Sequence, residues 1–272
     1  MDLIDILHGW NRRRIMARRL SKPAKYTPFG FMMKAISEMQ DGRFEPLETA
    51  LVRTMLQRTD RFVNVGANMG FYCLLSAQAG VETMALEPVP SNVRFIVDNM
   101  RANGWDTAVT LLPVAAGAEP GFVDIYGVGT GSSVLKEWGS NPESTRQTVS
   151  AVRLDDVITS PRTDERMFIL MDIEGYETFA LKGSSALINA ATKPVWLIEI
   201  VGEGFEGTIN PQAQDAFDMM LAAGYQAVCV DETLAPSKGP TPSATNFLFF
   251  DKALTLEDVL GPEAERIAPL VV

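Results

Sequence analysis

From Arg61 onward the chain alternates short apolar runs with helical patterns, and no other feature limits the possible folds as much. "RFVNV" reads as a strand, "GFYCLLSAQAG" as a helix stopped by Gly80, and "ETMALE" as a strand. "SNVRFIVDNMRANG" follows as a helix stopped by Gly104, then "AVTLLPVA" as a strand. Strands separated by single helices build a doubly wound, mostly parallel α/β sheet. The middle, from "GFVDIYGVGTGSS" to "VRLDDV", is rich in Gly, Ser and Thr and reads as short strands and loops laid over that sheet. The alternation then resumes with "MFILMD" (strand), "ETFALKGSSALIN" (helix), "PVWLIEIV" (strand), "PQAQDAFDMMLAAG" (helix), "YQAVCVD" (strand) and "TNFLFFD" (strand).

With 272 residues, 46% of them apolar, the chain can bury one large core plus a small appendage. The pattern divides it into an N-terminal helical extension, 1–58, and an α/β domain, 59–272. Charge is unevenly spread. Residues 1–25 hold seven Arg and Lys against Asp2 and Asp5, a balance of +5 that leaves −15 on the rest. An acidic body argues against nucleic acid as a partner. In the basic segment Leu3, Ile6, Leu7 and Trp10 share one helical face. The expected arrangement packs that face on the body and leaves the arginines in water; the alternative is contact with an anionic surface such as lipid headgroups. No apolar run is long enough for a transmembrane helix and no signal-peptide pattern opens the chain, so a cytoplasmic location is expected. Cys73 and Cys229 sit in apolar stretches as core residues, and the single histidine, His8, lies in the N-terminal helix away from the expected chemistry.

In a doubly wound sheet, ligands bind beyond the carboxyl ends of the strands, and the first strand-to-helix loop is the usual nucleoside or phosphate site. Here that loop is Gly66-Ala67-Asn68-Met69-Gly70. Asn68 stands where a dinucleotide fingerprint needs its second glycine, so a pyrophosphate would lose its close backbone approach. Glu87 ends the second strand about twenty residues on, where a carboxylate can accept from both ribose hydroxyls. A nucleoside ligand without a pyrophosphate satisfies both observations.

The segments "FVNVGANMGFYCLL", "ALEPVPSNVRFIVDNMRANG", "VRLDDV" and "ILMDIEGYETFALKG", in this order, resemble the FkbM family of S-adenosylmethionine-dependent methyltransferases, which have a class I methyltransferase fold. The resemblance implies that S-adenosylmethionine is the cofactor, that Gly66, Ala67, Asn68 and Gly70 bend around its methionine end, that Glu87 takes the ribose and that Ala115 lies near the adenine. It also implies an acceptor hydroxyl on a sugar, a glycan, or a glycosylated or polyketide-like metabolite. The family pattern usually opens with Asp where this chain has Asn64. The asparagine keeps an oxygen acceptor for the cofactor's methionine end but gives up the charge.

The second half supplies candidate catalytic groups. Asp172 ends the strand "MFILMD", and Glu199 ends "PVWLIEI"; neighbouring parallel strands would place the two carboxylates about 5 Å apart at the ligand edge, with Asp172 bordering the cofactor too. Two such groups share a proton or hold a cation. Either state suits O-methylation, through a base or through a divalent Mg²⁺ or Mn²⁺, and the residues leave the metal undecided. Glu174 and Glu177 suit a site role and a helix-dipole role equally. Asp155 and Asp156 read as turn or cap residues, and the loop Gly127–Ser133 as a ligand-following rim. Two other functions fit less well: a nucleotide-dependent oxidoreductase, and a catalytically silent cofactor- or glycan-binding module.

Overall fold

The computed structural model describes residues 3–136, 138–202, 210–241 and 244–262. Eight strands form the main sheet: β1 (Arg61–Val65), β2 (Glu82–Leu86), β3 (Val109–Leu112), β4 (Met167–Met171), β5 (Val195–Glu199), β6 (Tyr225–Cys229), β7 (Pro236–Ser237) and β8 (Asn246–Asp251). Their spatial order is β7-β6-β8-β5-β4-β1-β2-β3. The pairs from β3 to β5 are parallel; β8 enters antiparallel between β5 and β6, and β7 pairs antiparallel with β6. This is the α/β sheet expected from the alternation.

The helices are α1 (Leu3–Leu20), α2 (Pro46–Leu56), α3 (Phe71–Ala79), α4 (Pro90–Ala102), α5 (Glu177–Lys182), α6 (Ser185–Ile188) and α7 (Ala213–Ala222), with five further short helical segments among the described residues. Alternate strand residues face opposite layers, as the two-residue period of a strand requires. Phe62, Phe168, Leu170 and Leu197 pack with α2, α3 and α4; Val63, Val65, Ile169, Met171 and Trp196 pack with α5, α6 and α7. The core runs across residue 58, since Phe31, Met33, Leu51 and Met55 join Phe62 and Phe71 in one cluster.

Three expectations are corrected. "AVTLLPVA" is not one strand: β3 stops before Pro113, which has no N–H for a ladder, and Ala115–Ala116 pairs instead with Gln147–Val152 in a separate three-stranded sheet completed by Gly121–Ile125. "ETFALKGSSALIN" breaks into α5 and α6 at Gly183, where a Cβ would lie 2.1 Å from the Gly117 carbonyl oxygen; close packing against the small sheet overrides helical periodicity. The third concerns α1. Its apolar face is turned outward, with Leu3, Ile6, Leu7 and Trp10 exposed, while Gly9 and Met16 are buried. Polar ties decide this: Ser144 N–H donates to the Asp5 carboxylate (2.9 Å), the Ser144 hydroxyl donates to the Asp5 carbonyl (2.7 Å), and Arg12 donates to the Asn141 Oδ1. Residues 27–36 were not foreseen as part of the core. They are held by Asn99 and Asn103 of the α4 end, whose amides accept from Lys34 and Met32 N–H.

Candidate active site

The carboxyl ends of β1, β2 and β4 meet at one edge, and their loops enclose a cleft lined by Gly66, Asn68, Glu87, Val89, Ala115 and Ile125 on one side and Asp172, Glu174 and Tyr176 on the other. Gly66 has φ +86°, and a Cβ there would sit 1.8 Å from the Asp172 carbonyl oxygen, so only glycine lets the first loop pass the β4 turn. Gly70 also has positive φ (+85°) and begins α3 beside Ile96. Glu87 is buried at 3% exposure. It accepts from Asn68 N–H (2.6 Å), Val89 N–H (2.8 Å) and the Asn92 amide (3.4 Å), which locks the first two loops together. Burial pushes its carboxyl up to about 7 against those three hydrogen bonds.

Gly66, Asn68, Glu87, Ala115 and Asp172 therefore line one cleft. Asn64, Ala67 and Gly70 do not line it. For Asn64 this corrects a cofactor contact. Its position on β1 sends the side chain toward α3, where it is 1% exposed, donates to Cys73 Sγ (3.6 Å) and leaves its Oδ1 without a partner. Ala67 and Gly70 act through the backbone of the turn: Ala67 N–H donates to the Leu86 carbonyl and Gly70 N–H to the Ala67 carbonyl. The cleft suits a nucleoside. Val89, Val114, Ala115, Ala116 and Ile125 supply apolar walls, and Glu87, Asp172 and the unpartnered Asn92 Oδ1 supply acceptors.

A second cavity of about 540 Å³ adjoins the first and shares Asn68, Gly131, Asp172 and Glu174 with it. Glu45, Glu199, Trp138, Asn141, Arg12, Arg19 and Phe44 complete its walls. The parallel register pairs Met171 with Ile198, so Asp172 and Glu199 follow side by side, as expected, and they hydrogen-bond to each other. A bond between two carboxyls needs a shared proton. Burial raises Asp172, while the bonds from Glu199 and the Glu174 N–H act against the rise; burial and then the charge of Asp172 hold Glu199 well above the usual carboxylate range. Asp172 Oδ1 has no hydrogen-bond partner.

Glu174 takes a left-handed conformation (φ +58°) in the turn after β4, and this brings its carboxylate into both cavities. It accepts from Trp138 Nε1 (3.0 Å), and burial, then the charge of Asp172, raise it to about 7. Glu45, raised to about 8 mainly by burial, accepts from the Tyr72 hydroxyl (2.6 Å). Glu177 lines neither cavity; its Oε1 accepts from Gly175 (3.0 Å) and Ile173 (3.3 Å) N–H and so clamps the turn. Asp155 accepts from Ala186 and Leu187 N–H at the start of α6, and Asp156 pairs with Arg153, in line with the turn-and-cap reading. The loop Gly127–Ser133 forms the partition between the cavities: Gly129 and Ser132 face the first, Val128 and Thr130 the second, and Ser133 Oγ donates to the Glu174 carbonyl (2.7 Å).

Glu45, Trp138, Arg12 and Arg19 were not foreseen at the site. Arg12, Arg19 and Glu45 precede the recognisable loops, Trp138 lies just beyond the Gly127–Ser133 loop, and the signal nearest to Glu45 is Pro46, which marks the helix start just after it. Among the described residues no group of three His, Cys, Asp or Glu is disposed to hold a metal ion.

The sheet order and the cleft beyond its carboxyl ends define a class I methyltransferase fold. A family model described as the methyltransferase FkbM domain matches residues 64–227, more than half of the chain. The chain belongs to the FkbM family of S-adenosylmethionine-dependent methyltransferases. Similar solved structures include an O-methyltransferase from Bacillus cereus in complex with SAH (11% identity, 92% of this chain and 90% of that chain, TM-score 0.46). A precorrin-6y C5,15-methyltransferase from Geobacter metallireducens (17%, 74% and 87%, 0.41) is another. So is fibrillarin from Aeropyrum pernix with natively bound S-adenosyl-L-methionine (9%, 74% and 73%, 0.41). No curated protein matches the chain. No helix among the described residues is long and apolar enough to cross a membrane.

Proposed function

We propose that this methyltransferase acts on a hydroxyl oxygen of a sugar, a glycan, or a glycosylated or polyketide-like metabolite. The observation that carries this reading is the second cavity, which joins the cofactor cleft at Asp172 and Glu174 and is large enough for a small-molecule acceptor. Its polar walls, with four carboxyl groups, Asn68, Thr130 and Asn141, suit a polyhydroxylated ligand. S-adenosylmethionine supplies an electrophilic methyl group. Gly66, Asn68, Glu87 and Ala115 hold it, with Glu87 on the ribose and Ala115 beside the adenine.

Asp172 is the base in this scheme. Its carboxylate, which lines both cavities, accepts the proton of the acceptor hydroxyl, and Glu199, which keeps the shared proton, holds the Asp172 carboxylate in place. Glu174, fixed by Trp138, aligns the acceptor oxygen for in-line attack. A base between two cavities favours turnover over a silent binding module. The test incubates the protein with methyl-labelled S-adenosylmethionine and a panel of activated sugars, lipid-linked glycans, neutral glycosides and glycosylated polyketides, with and without EDTA. The expected product is an O-methyl ether formed equally in EDTA. A C- or N-methyl product, or no S-adenosylhomocysteine across the panel, refutes the reading.

A further inference from the structure

The outward apolar face of α1 has no use in the chemistry above, yet six of the nine exposed large hydrophobic side chains among the described residues lie on this one helix: Leu3, Ile4, Ile6, Leu7, Trp10 and Ile15. Leu3 is 71% exposed and Trp10 57%. Leu3, Leu7, Trp10, Arg14 and Arg18 follow one another at intervals of three and four residues, so a single stripe runs from apolar at its N-terminal end to cationic at its C-terminal end. Arg13, Arg14 and Arg18 are exposed, and exposed Lys22, Lys25 and Tyr26 continue the surface. The Arg14 guanidinium lies over the Trp10 ring at 5.2 Å, so the aromatic ring and the cation sit together at the surface.

The body holds this face outward. Asp5 and Arg12 are tied to Ser144 and Asn141, and Gly9 packs so closely that a Cβ there would lie 2.2 Å from Ser144 Oγ. Met16 fills the space left by Gly129, where a Cβ would be 2.6 Å from Met16 Cε. Rotating the helix to bury Leu7 and Trp10 would break all of these contacts. Soluble surfaces rarely keep so large an apolar patch without a partner.

We propose that α1 docks the protein on an anionic lipid bilayer. Leu3, Ile6, Leu7 and Trp10 enter the boundary between headgroups and acyl chains, while Arg14 and Arg18, followed by Lys22 and Lys25, meet the anionic headgroups. Charge selects this occupant. The first 25 residues carry +5 and the rest −15, so an anionic surface attracts α1, repels the body and orients the molecule with the helix down. Arg12, Ile15, Met16 and Arg19 of the same helix line the second cavity, so docking sets the cavity mouth beside the bilayer; its value for a lipid-borne acceptor rests on the acceptor reading above, whereas the docking itself does not.

The test is co-sedimentation of the full chain with vesicles of phosphatidylcholine alone or with about a third phosphatidylserine, at low and high salt, with no methyl acceptor present. Binding to the anionic vesicles should be at least about tenfold tighter, and should weaken as salt rises. The double variant Leu7→Glu/Trp10→Glu should lose that binding by roughly tenfold or more while melting like the parent, because neither side chain is buried against the body. Arg14→Gln/Arg18→Gln should lose the preference for anionic over neutral vesicles. Absence of binding to either vesicle overturns the proposal, as does binding that the Glu variants leave intact. A concentration-dependent dimer that the Glu variants dissolve, without vesicle binding, assigns the face to a second copy of the chain and also overturns it.

Discussion

Gly66→Ala is the most informative single change. The new Cβ would lie 1.8 Å from the Asp172 carbonyl oxygen, 2.9 Å from its carbon and 3.0 Å from Ile173 Cγ2. The first two are backbone atoms that no rotamer can move, and Asp172 N–H is already bonded to the Val65 carbonyl (3.0 Å). Overpacking of this kind costs about 1–3 kcal/mol, and a side chain at φ +86° adds about 1–2 kcal/mol. The sum, about 2–5 kcal/mol, corresponds to a fall in Tm of roughly 5–15 °C for a domain of this size. Moving the Asp172 backbone by about 1 Å should also lower turnover about a hundredfold. Gly80→Ala is the control, since Gly80 has φ +72° and nothing within 4 Å of its Cβ position, so it carries the strain without the clash. Calorimetry and single-turnover methyl transfer on both variants give the comparison. If the two melt together and Gly66→Ala keeps turnover within about twofold, the close approach of the two loops is not what the glycine is for.

Asp172→Asn should leave S-adenosylmethionine affinity nearly intact while turnover falls roughly a hundredfold or more; unchanged turnover removes Asp172 from the chemistry. Because Asp172 and Glu199 are both raised and the ionised Asp172 is the active form, the parent's rate should climb with pH through a limb above the ordinary carboxylate range, and a limb near 4 contradicts the shared proton. Glu177, raised to about 8 by burial, adds stability that is full below the unfolded carboxyl value and is lost as pH rises through 8. Glu177→Gln keeps an acceptor for Gly175 without that titration, so its Tm should fall less than the parent's between about pH 5 and 9, and parallel curves refute the assignment. Asn64→Asp would bury a carboxylate beside Cys73, whose thiol burial pushes up to about 12; the expected cost is about 1–3 kcal/mol, largest at alkaline pH, with cofactor affinity changed less than about threefold. A tenfold change in affinity would return Asn64 to the cofactor site.

Local pattern determined a good part of this protein. A strand's two-residue period and a helix's longer one are properties of consecutive residues, so the alternating elements, the glycine loop after β1, Glu87 at the end of β2 and the meeting of Asp172 with Glu199 were all legible. That meeting needed only the parallel neighbourhood of β4 and β5, which the topology of such sheets supplies. Contacts between distant residues were not legible. Glu45 and Trp138 line the second cavity together although roughly ninety residues of chain separate them, and neither stands in a pattern that marks it. Asn64 was expected at the cofactor because the family pattern has Asp there, but the pleat of β1 turns its side chain into the core. The orientation of α1 is the plainest case. Amphipathic periodicity shows that a helix has an apolar face, and the tertiary contacts of the other face decide whether that face is buried; here Gly9, Met16, Asp5 and Arg12 found their partners first.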